Sequence, residues 1–351
     1  MSLRTGIQKK FQNLFVAVIL NESESILRAK VLKDGVIKKT FTKTFTHTES
    51  SDALESSVEN YLIALQEQYA FVYIAFFLGA MGQGAIEGVG SSAFSKHTVD
   101  SDNVFSVSVN KQWSAYASYI EIKWAKNLFS EVGLDLIFSP FMVLNDFVVS
   151  QKLKSKPTCY LLNSQDSFCV AIMEEKKLHF GAFFKTQSDA AFTNSTEVND
   201  WENEEKEEGV TALGDITELG DAYDDDDDLS DLGELGDLED MKSVDSFSEV
   251  DTPKTIGHFK GFDTVSKEDT SLELYGRDLL VYKYLKSSLE EYYHNSLYES
   301  AFIEEIIIFD GYEISSDLIR QLEDELMMDV EIHKVDISDR VCDLAIQEVF
   351  G

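Results

Sequence analysis

Cysteine, histidine and long apolar runs are all scarce in this 351-residue chain. The three cysteines, Cys159, Cys169 and Cys342, are an odd, scattered set without metal-ligand spacing. They exclude a disulfide framework and fit a reducing compartment, where such thiols serve as small buried hydrophobes. The six histidines are equally scattered, and neither HExxH nor GxSxG occurs, which excludes the zinc-protease and serine-hydrolase patterns. The longest apolar run, residues 70–82, is shorter than the roughly 20 residues of a membrane-spanning helix. Lys9 and Lys10 precede an apolar run at 14–20 in the manner of a signal peptide, but no small-x-small site follows and the pattern continues as a hairpin. A cytoplasmic protein without direct membrane insertion is expected.

Positive charge is also in deficit: 30 Lys and Arg stand against 64 Asp and Glu, a net charge of −34. Phosphate backbones and anionic lipid both require clustered bases, so neither nucleic acid nor direct lipid docking is expected. The acidity is concentrated. Residues 197–251 hold 23 acids against Lys206 and Lys242, a net of −21, and the other 296 residues carry a net of −13. This low-complexity segment cannot bury enough apolar surface to offset its ordering entropy, and a disordered acidic linker over 191–270 is expected. Within it Leu229, Leu232, Leu235, Leu238 and Met241 recur every third residue. They suit one face of a short helix formed against a partner with an apolar groove and a basic rim; a plain spacer with incidental leucines is the alternative.

What remains is rich enough for a sizeable core, at 44% hydrophobic and 12% aromatic overall, and long enough for two lobes or more. Residues 14–45 read as three strands with a tight turn at Lys33-Asp34-Gly35. Residues 51–69 read as a helix with Leu54, Val58, Tyr61, Leu62 and Leu65 on one face. A buried strand at 71–78, a loop at 79–90, a half-buried strand at 104–109, and a helix at 114–132 closed by Gly133 follow. Another buried strand at 134–138, a short helix at 140–152 and a second three-strand segment at 157–185 come next. Beyond the acidic segment a long helix at 271–298 leads to strand 305–309, helix 315–328, strand 330–334 and helix 338–350. Such alternation implies an α/β sheet.

Glycine is missing where the two strand-turn-strand segments most invite it. The first, 13–45, turns at Asn21-Glu22-Ser23-Glu24-Ser25. The second, 157–185, turns at Asn163-Ser164-Gln165-Asp166-Ser167. This matched pair resembles the two phosphate hairpins of the actin-like ATPases. In that family an Asp followed by Gly orients Mg²⁺ and water and lets backbone N–H groups approach phosphate. Neither turn here has the Gly, and Glu22 and Glu24 would repel a polyphosphate.

The last third sharpens the resemblance. SSLEEYYHNS, EEIIIFDG, SDLIRQLEDELMMDV and EIHKVD are similar to the C-terminal series of the PilM family. These are actin-like cytoplasmic proteins of type IV pilus assembly, related to FtsA and GspL. Where that family packs a Gly pair under adenine, this chain has Asp310-Gly311-Tyr312.

The resemblance implies an actin-like, ribonuclease H-like, two-lobed α/β fold. It implies a first lobe at 1–150 with a small inserted subdomain at about 80–133. The second hairpin lies at 151–190 and the rest of the second lobe at 271–351, with the clamp subdomain replaced by the acidic linker. It implies a nucleotide site degenerate at Asn21, Ser23, Ser25, Asn163, Ser164, Asp166, Asp310 and Gly311, hence no cofactor, no metal and no catalysis. The implied partner is the cytoplasmic N-terminal segment of a single-span inner-membrane protein, bound in a groove involving residues 51–109. A homo-oligomer is also possible within the family pattern, and a divergent ATPase that still binds nucleotide is the rival reading.

Other motifs fall short. Gly82, Gly84 and Gly88 nearly match GxGxxG, but the third Gly comes one residue late and Gly88 and Gly90 deny the helix start that a pyrophosphate needs. Residues 90–97 lack the second Gly and final Ser/Thr of a P-loop. An EF-hand loop begun at Asp224 would put Leu229 and Leu235 at its sixth and twelfth positions.

Overall fold

The computed structural model describes residues 10–46, 54–186 and 267–351. The expected linker over 191–270, with its leucine stripe and the replaced clamp, lies outside these but for its last four residues, of whose side chains nothing is described.

The first three strands form as their alternation dictates: β1 (Asn13–Leu20), β2 (Glu24–Lys33) and β3 (Val36–Thr46). Asp34 and Gly35 join the last two with φ of 55° and 73°, the left-handed pair that a two-residue hairpin turn needs. Helix α1 (Ser56–Gln68) buries Val58, Leu62 and Leu65 along one stripe. It leads to β4 (Phe71–Phe77), and the sheet closes with β8 (Leu136–Phe138). The strand order is β3-β2-β1-β4-β8, with β1, β4 and β8 parallel. A second sheet repeats it. β9 (Thr158–Asn163), β10 (Ser167–Glu174), β11 (Lys177–Lys185), β12 (Glu305–Asp310) and β13 (Asp329–Lys334) run in the order β11-β10-β9-β12-β13, with β9, β12 and β13 parallel. Two sheets of three antiparallel and two parallel strands in this order make the duplicated ribonuclease H-like, actin-like α/β fold.

Helices α4 (Pro140–Ser150) and α7 (Ile337–Phe350) share one core with the facing sides of both sheets, including Phe15, Ala17, Tyr160 and Leu162. On the outer faces, α1 and α3 (Tyr119–Leu128) cover the first sheet, and α5 (Lys267–His294) and α6 (Ser316–Leu326) cover the second. Leu14, Val16 and Val18 thus face one core while Phe15, Ala17 and Ile19 face another. That is why β1 reads as an unbroken apolar run.

The C-terminal helix α7 is tied to the first sheet by charge as well as packing. The Lys30 ammonium, 5% exposed, lies 2.8 Å from Asp339 and 2.7 Å from Asp343, and Arg28 also reaches Asp339 at 2.8 Å. Burial opposes the Lys30 charge, but the two carboxylates outweigh it and its pKa is raised. Cys342 Sγ donates to the Arg28 carbonyl at 3.0 Å. All three thiols are free and buried, and burial pushes those of Cys159 and Cys342 up to about 12.

Residues 79–133 depart from expectation. Part of the expected loop is strand β5 (Gln83–Glu87), and the start of the expected helix is strand β7 (Trp113–Ser118). With β6 (Val104–Val109) they form a small antiparallel sheet in the order β5-β7-β6, and the short helix α2 (Ser91–Lys96) packs Phe94 against Ile86 of β5. Trp113, Ala115 and Ala117 are buried on one face, but Ser114 between them is buried too and the side chains are mostly small, which blurs the alternation. The helix starts only where Ser118 caps it by accepting the Glu121 N–H at 3.2 Å. The expected half-burial of β6 also fails, for four of its six residues are exposed. Strand β8 is half-buried.

Candidate functional site: two glycine-free turns closed on each other

The carboxyl ends of β1 and β9 point the two glycine-free turns at one another, and the turns touch. Asn21 Nδ2 donates to Gln165 Oε1 at 2.9 Å, and the Glu22 backbone N–H donates to Asp166 Oδ2 at 2.7 Å. Gln165 Nε2 reaches Ser23 Oγ at 3.4 Å. A phosphate needs N–H groups aimed at open space; here the Glu22 N–H is taken by a carboxylate of the opposite turn.

A buried arginine fixes the second turn from behind. Arg277 of α5, 8% exposed, donates from Nε to the Gln165 carbonyl at 2.9 Å and from Nη2 to the Ser164 carbonyl at 2.6 Å and to Asn163 Oδ1. Asn163 is itself buried. Its Nδ2 donates to Asp310 Oδ1 at 2.7 Å, and its carbonyl accepts the Gly311 N–H at 2.8 Å. The Tyr312 ring lies 4.9 Å from the Arg277 guanidinium, in cation–π range. Asp278 stands 3.5 Å from Arg277 Nη1 and accepts the Ser315 N–H, seating the start of α6.

Burial is the leading influence on Arg277, Asp166 and Asp310. It lowers the Arg277 pKa against the attraction of Asp278 and the neighbouring acids. It raises Asp166 against the Glu22 N–H and the charge of Lys185, and raises Asp310 against its bond from Asn163.

Of the residues singled out by sequence, Asn21, Ser23, Asn163, Ser164, Asp166, Asp310 and Gly311 come together here. Ser25 does not join them: it is buried within β2, opposite Leu20. Leu229, Leu232, Leu235, Leu238 and Met241 lie outside the described residues. Sequence reasoning missed Arg277, although it occupies the same stripe as the buried Val281 and Leu285 four and eight residues on. A base at a core position of an amphipathic helix was the available signal. Gly311 lies against α7: a Cβ there would come within 2.5 Å of Ile337 Cδ1 and 3.1 Å of the Asn163 carbonyl. Among the described residues no group of side chains could hold a metal ion.

Beside the closed turns is a cleft of about 410 Å³, lined by Leu20 and Phe76 at strand ends, by Met81, by Ile120, Glu121 and Trp124 of α3, and by Lys185. Ile120 is 79% exposed and Met81 50%. Burial raises the Glu121 pKa, and Lys185 partly offsets it.

The strand orders define a protein of the actin-like fold, in which the turns after β1 and β9 are bonded to each other. The chain belongs to the family described as a domain of unknown function (DUF8341), whose model matches residues 159–350. A second domain of unknown function (DUF8569) matches residues 11–145. The two matches divide the chain as its two sheets do, and neither description mentions a pilus or a secretion system. No curated protein matches the sequence.

Solved structures that match include a Bacteroides thetaiotaomicron protein with actin-like ATPase fold and unknown function, at 10% identity, 99% coverage of both chains and a TM-score of 0.42. The PilM–PilN type IV pilus biogenesis complex matches at 8% identity, covering 97% of this chain and 99% of that one, with a TM-score of 0.48. The PPX-GPPA enzyme of Aquifex aeolicus matches at 10% identity over 49% of this chain and 52% of its own, with a TM-score of 0.27. The chain thus spans about half the length of that enzyme. At such identities and scores the likeness says nothing of function, and the fold rests on the strand orders themselves.

Proposed function

We propose that this protein is a non-catalytic, pseudo-ATPase scaffold. In this reading it lies in the cytoplasm, peripheral to the inner membrane, and helps assemble an envelope machine such as a pilus, a type II secretion system or a flagellar structure. One observation carries the proposal: the turns after β1 and β9 bond directly to each other, and Arg277 holds the second of them from behind. Side chains and one backbone N–H of these turns join the ends of the two sheets.

The cleft beside the turns supplies a docking place for a partner segment. Its exposed Ile120 and Met81 suit an apolar anchor, and Glu121 together with a net charge of −34 suits flanking bases. Cytoplasmic flanks of membrane spans are rich in Lys and Arg, so we assign the cleft to a short cytoplasmic segment of a single-span membrane protein. No helix among the described residues is long and apolar enough to cross a membrane. The cleft meets the groove expected at 51–109 only at Phe76 and 79–81; the rest comes from β1, α3 and β11.

Affinity purification from detergent-solubilised membranes, with mass spectrometry, tests this reading when wild type and Ile120→Glu are run side by side. A single-span protein should be captured by wild type and reduced at least tenfold with Ile120→Glu, and a synthetic peptide of its cytoplasmic segment should show the same difference. Equal binding by the two would remove the cleft from the account.

A further inference from the structure

Edge strands expose unpaired backbone groups, and native proteins usually guard them with charge. Here β3 carries Lys38, Lys39 and Lys43, β11 carries Lys177 and Lys185, and β13 carries Asp329, Glu331 and Lys334. Strand β6, VFSVSV, carries no charge and no proline. It ends the sheet order β5-β7-β6, and among the described residues no strand pairs with its outer edge. Phe105 is 53% exposed and Val107 43%, both on the face that continues into buried Val109. An apolar ledge and an unguarded ladder edge coincide in six residues.

We propose that β6 pairs with the β6 of a second copy, joining two small sheets into one six-stranded antiparallel sheet across a two-fold axis at Val107. The register follows from the side-chain period of two. Centred on Val107, the pairing sets Val107 against its own copy, Phe105 against Val109, and Ser106 against Ser108, so apolar meets apolar on one face and hydroxyl meets hydroxyl on the other. Charge favours the same direction. The strand is preceded by exposed Asp102 and followed by exposed Lys111, and antiparallel pairing sets each copy's Lys111 opposite the other's Asn103, one residue from its Asp102. Parallel pairing would set like charges together.

A six-residue ladder buries less than the roughly 1,200 Å² of a standard interface, so the dimer is weak and depends on concentration. Each copy carries a net charge of −34, and association strengthens as salt screens the repulsion.

Position 107 faces itself across the axis, which gives a decisive test. Sedimentation velocity of the full chain over a range of micromolar concentrations, at about 0.15 M salt where the screening length is about 8 Å, should show a monomer giving way to a dimer. Val107→Lys and Val107→Glu should each stay monomeric throughout, because each sets like charges face to face, and an equimolar mixture of the two should restore the dimer. Both substitutions fall at an exposed position, and unchanged circular dichroism and melting temperature confirm that each variant folds. A wild type that stays monomeric would overturn the proposal. So would a dimer that survives in either single variant, or a mixture that fails to associate.

Discussion

Replacing Arg277 with alanine is expected to lower stability by about 3–5 kcal/mol, the scale of removing one partner from a buried charged network. The guanidinium holds two backbone carbonyls of the second turn, at Ser164 and Gln165, together with the Asn163 side chain. Without it those acceptors are stranded in a region closed to water, and Asp278 loses the cation at 3.5 Å. The turn that Arg277 shapes is also the one that reaches across to Asn21 and Glu22, so the junction between the sheets loosens with it. A denaturant titration should show the loss, and amide exchange should speed up at residues 20–25 and 163–167 while the centre of β1 stays protected. Arg277→Lys should recover less than half of the lost stability, since one ammonium cannot reproduce the planar fork. A loss below about 1 kcal/mol for the alanine variant would show that the network is incidental.

Gly181→Val is expected to cost about 3 kcal/mol for a different reason. Gly181 lies on β11 where β5 crosses it. A Cβ there would sit 2.8 Å from the Ala85 carbonyl oxygen, 2.9 Å from Ala85 Cβ and 3.3 Å from Phe141. The nearest obstacle is backbone, so no rotamer change relieves it, and β5 must move off the hairpin. Overpacking of this kind costs roughly 1–3 kcal/mol and more when backbone has to shift. Gly79→Ala is the matching control: nothing lies within 4 Å of its built Cβ, and its φ is not left-handed. Thermal unfolding should place Gly79→Ala near wild type and Gly181→Val well below it. Equal melting temperatures would mean that β5 has freedom to shift at no cost.

The strands buried on both faces were the legible part of this fold. In β1, β9 and β12 the central positions face one core or another, so the middle of each reads as a continuous apolar run. The Asp34-Gly35 turn was equally legible, because only a few residues accept left-handed φ in succession. The small sheet was not. Its glycines at 82, 84 and 88 imitate a loop, although Gly84 is there because a Cβ would meet the Tyr116 ring and hydroxyl, as close as 2.5 Å. Residues 113–118 merge in sequence with the helix that follows, and the boundary depends on a serine cap.

For the site, the missing Asp-Gly pairs were visible in sequence, and the contact between the turns was not. That contact joins residues 144 apart in sequence, Asn21 to Gln165 and Glu22 to Asp166, and no local pattern encodes such a distance. Arg277 escaped notice because a single base in a charged, amphipathic helix looks like part of its solvated face until packing shows which face it occupies.

The closed junction is tested most directly by titrating the protein with ATP–Mg²⁺ in a calorimeter, with thermal unfolding followed in parallel. With the Glu22 N–H already bonded to Asp166 and the Arg277 donors directed to Asn163, Ser164 and Gln165, no saturable heat and no rise in melting temperature are expected up to millimolar nucleotide. A site half-saturated below about a millimolar would stabilise the fold by mass action as ligand is added. Saturable binding with a matching rise in melting temperature would contradict the account and return the protein to the nucleotide-binding members of its fold.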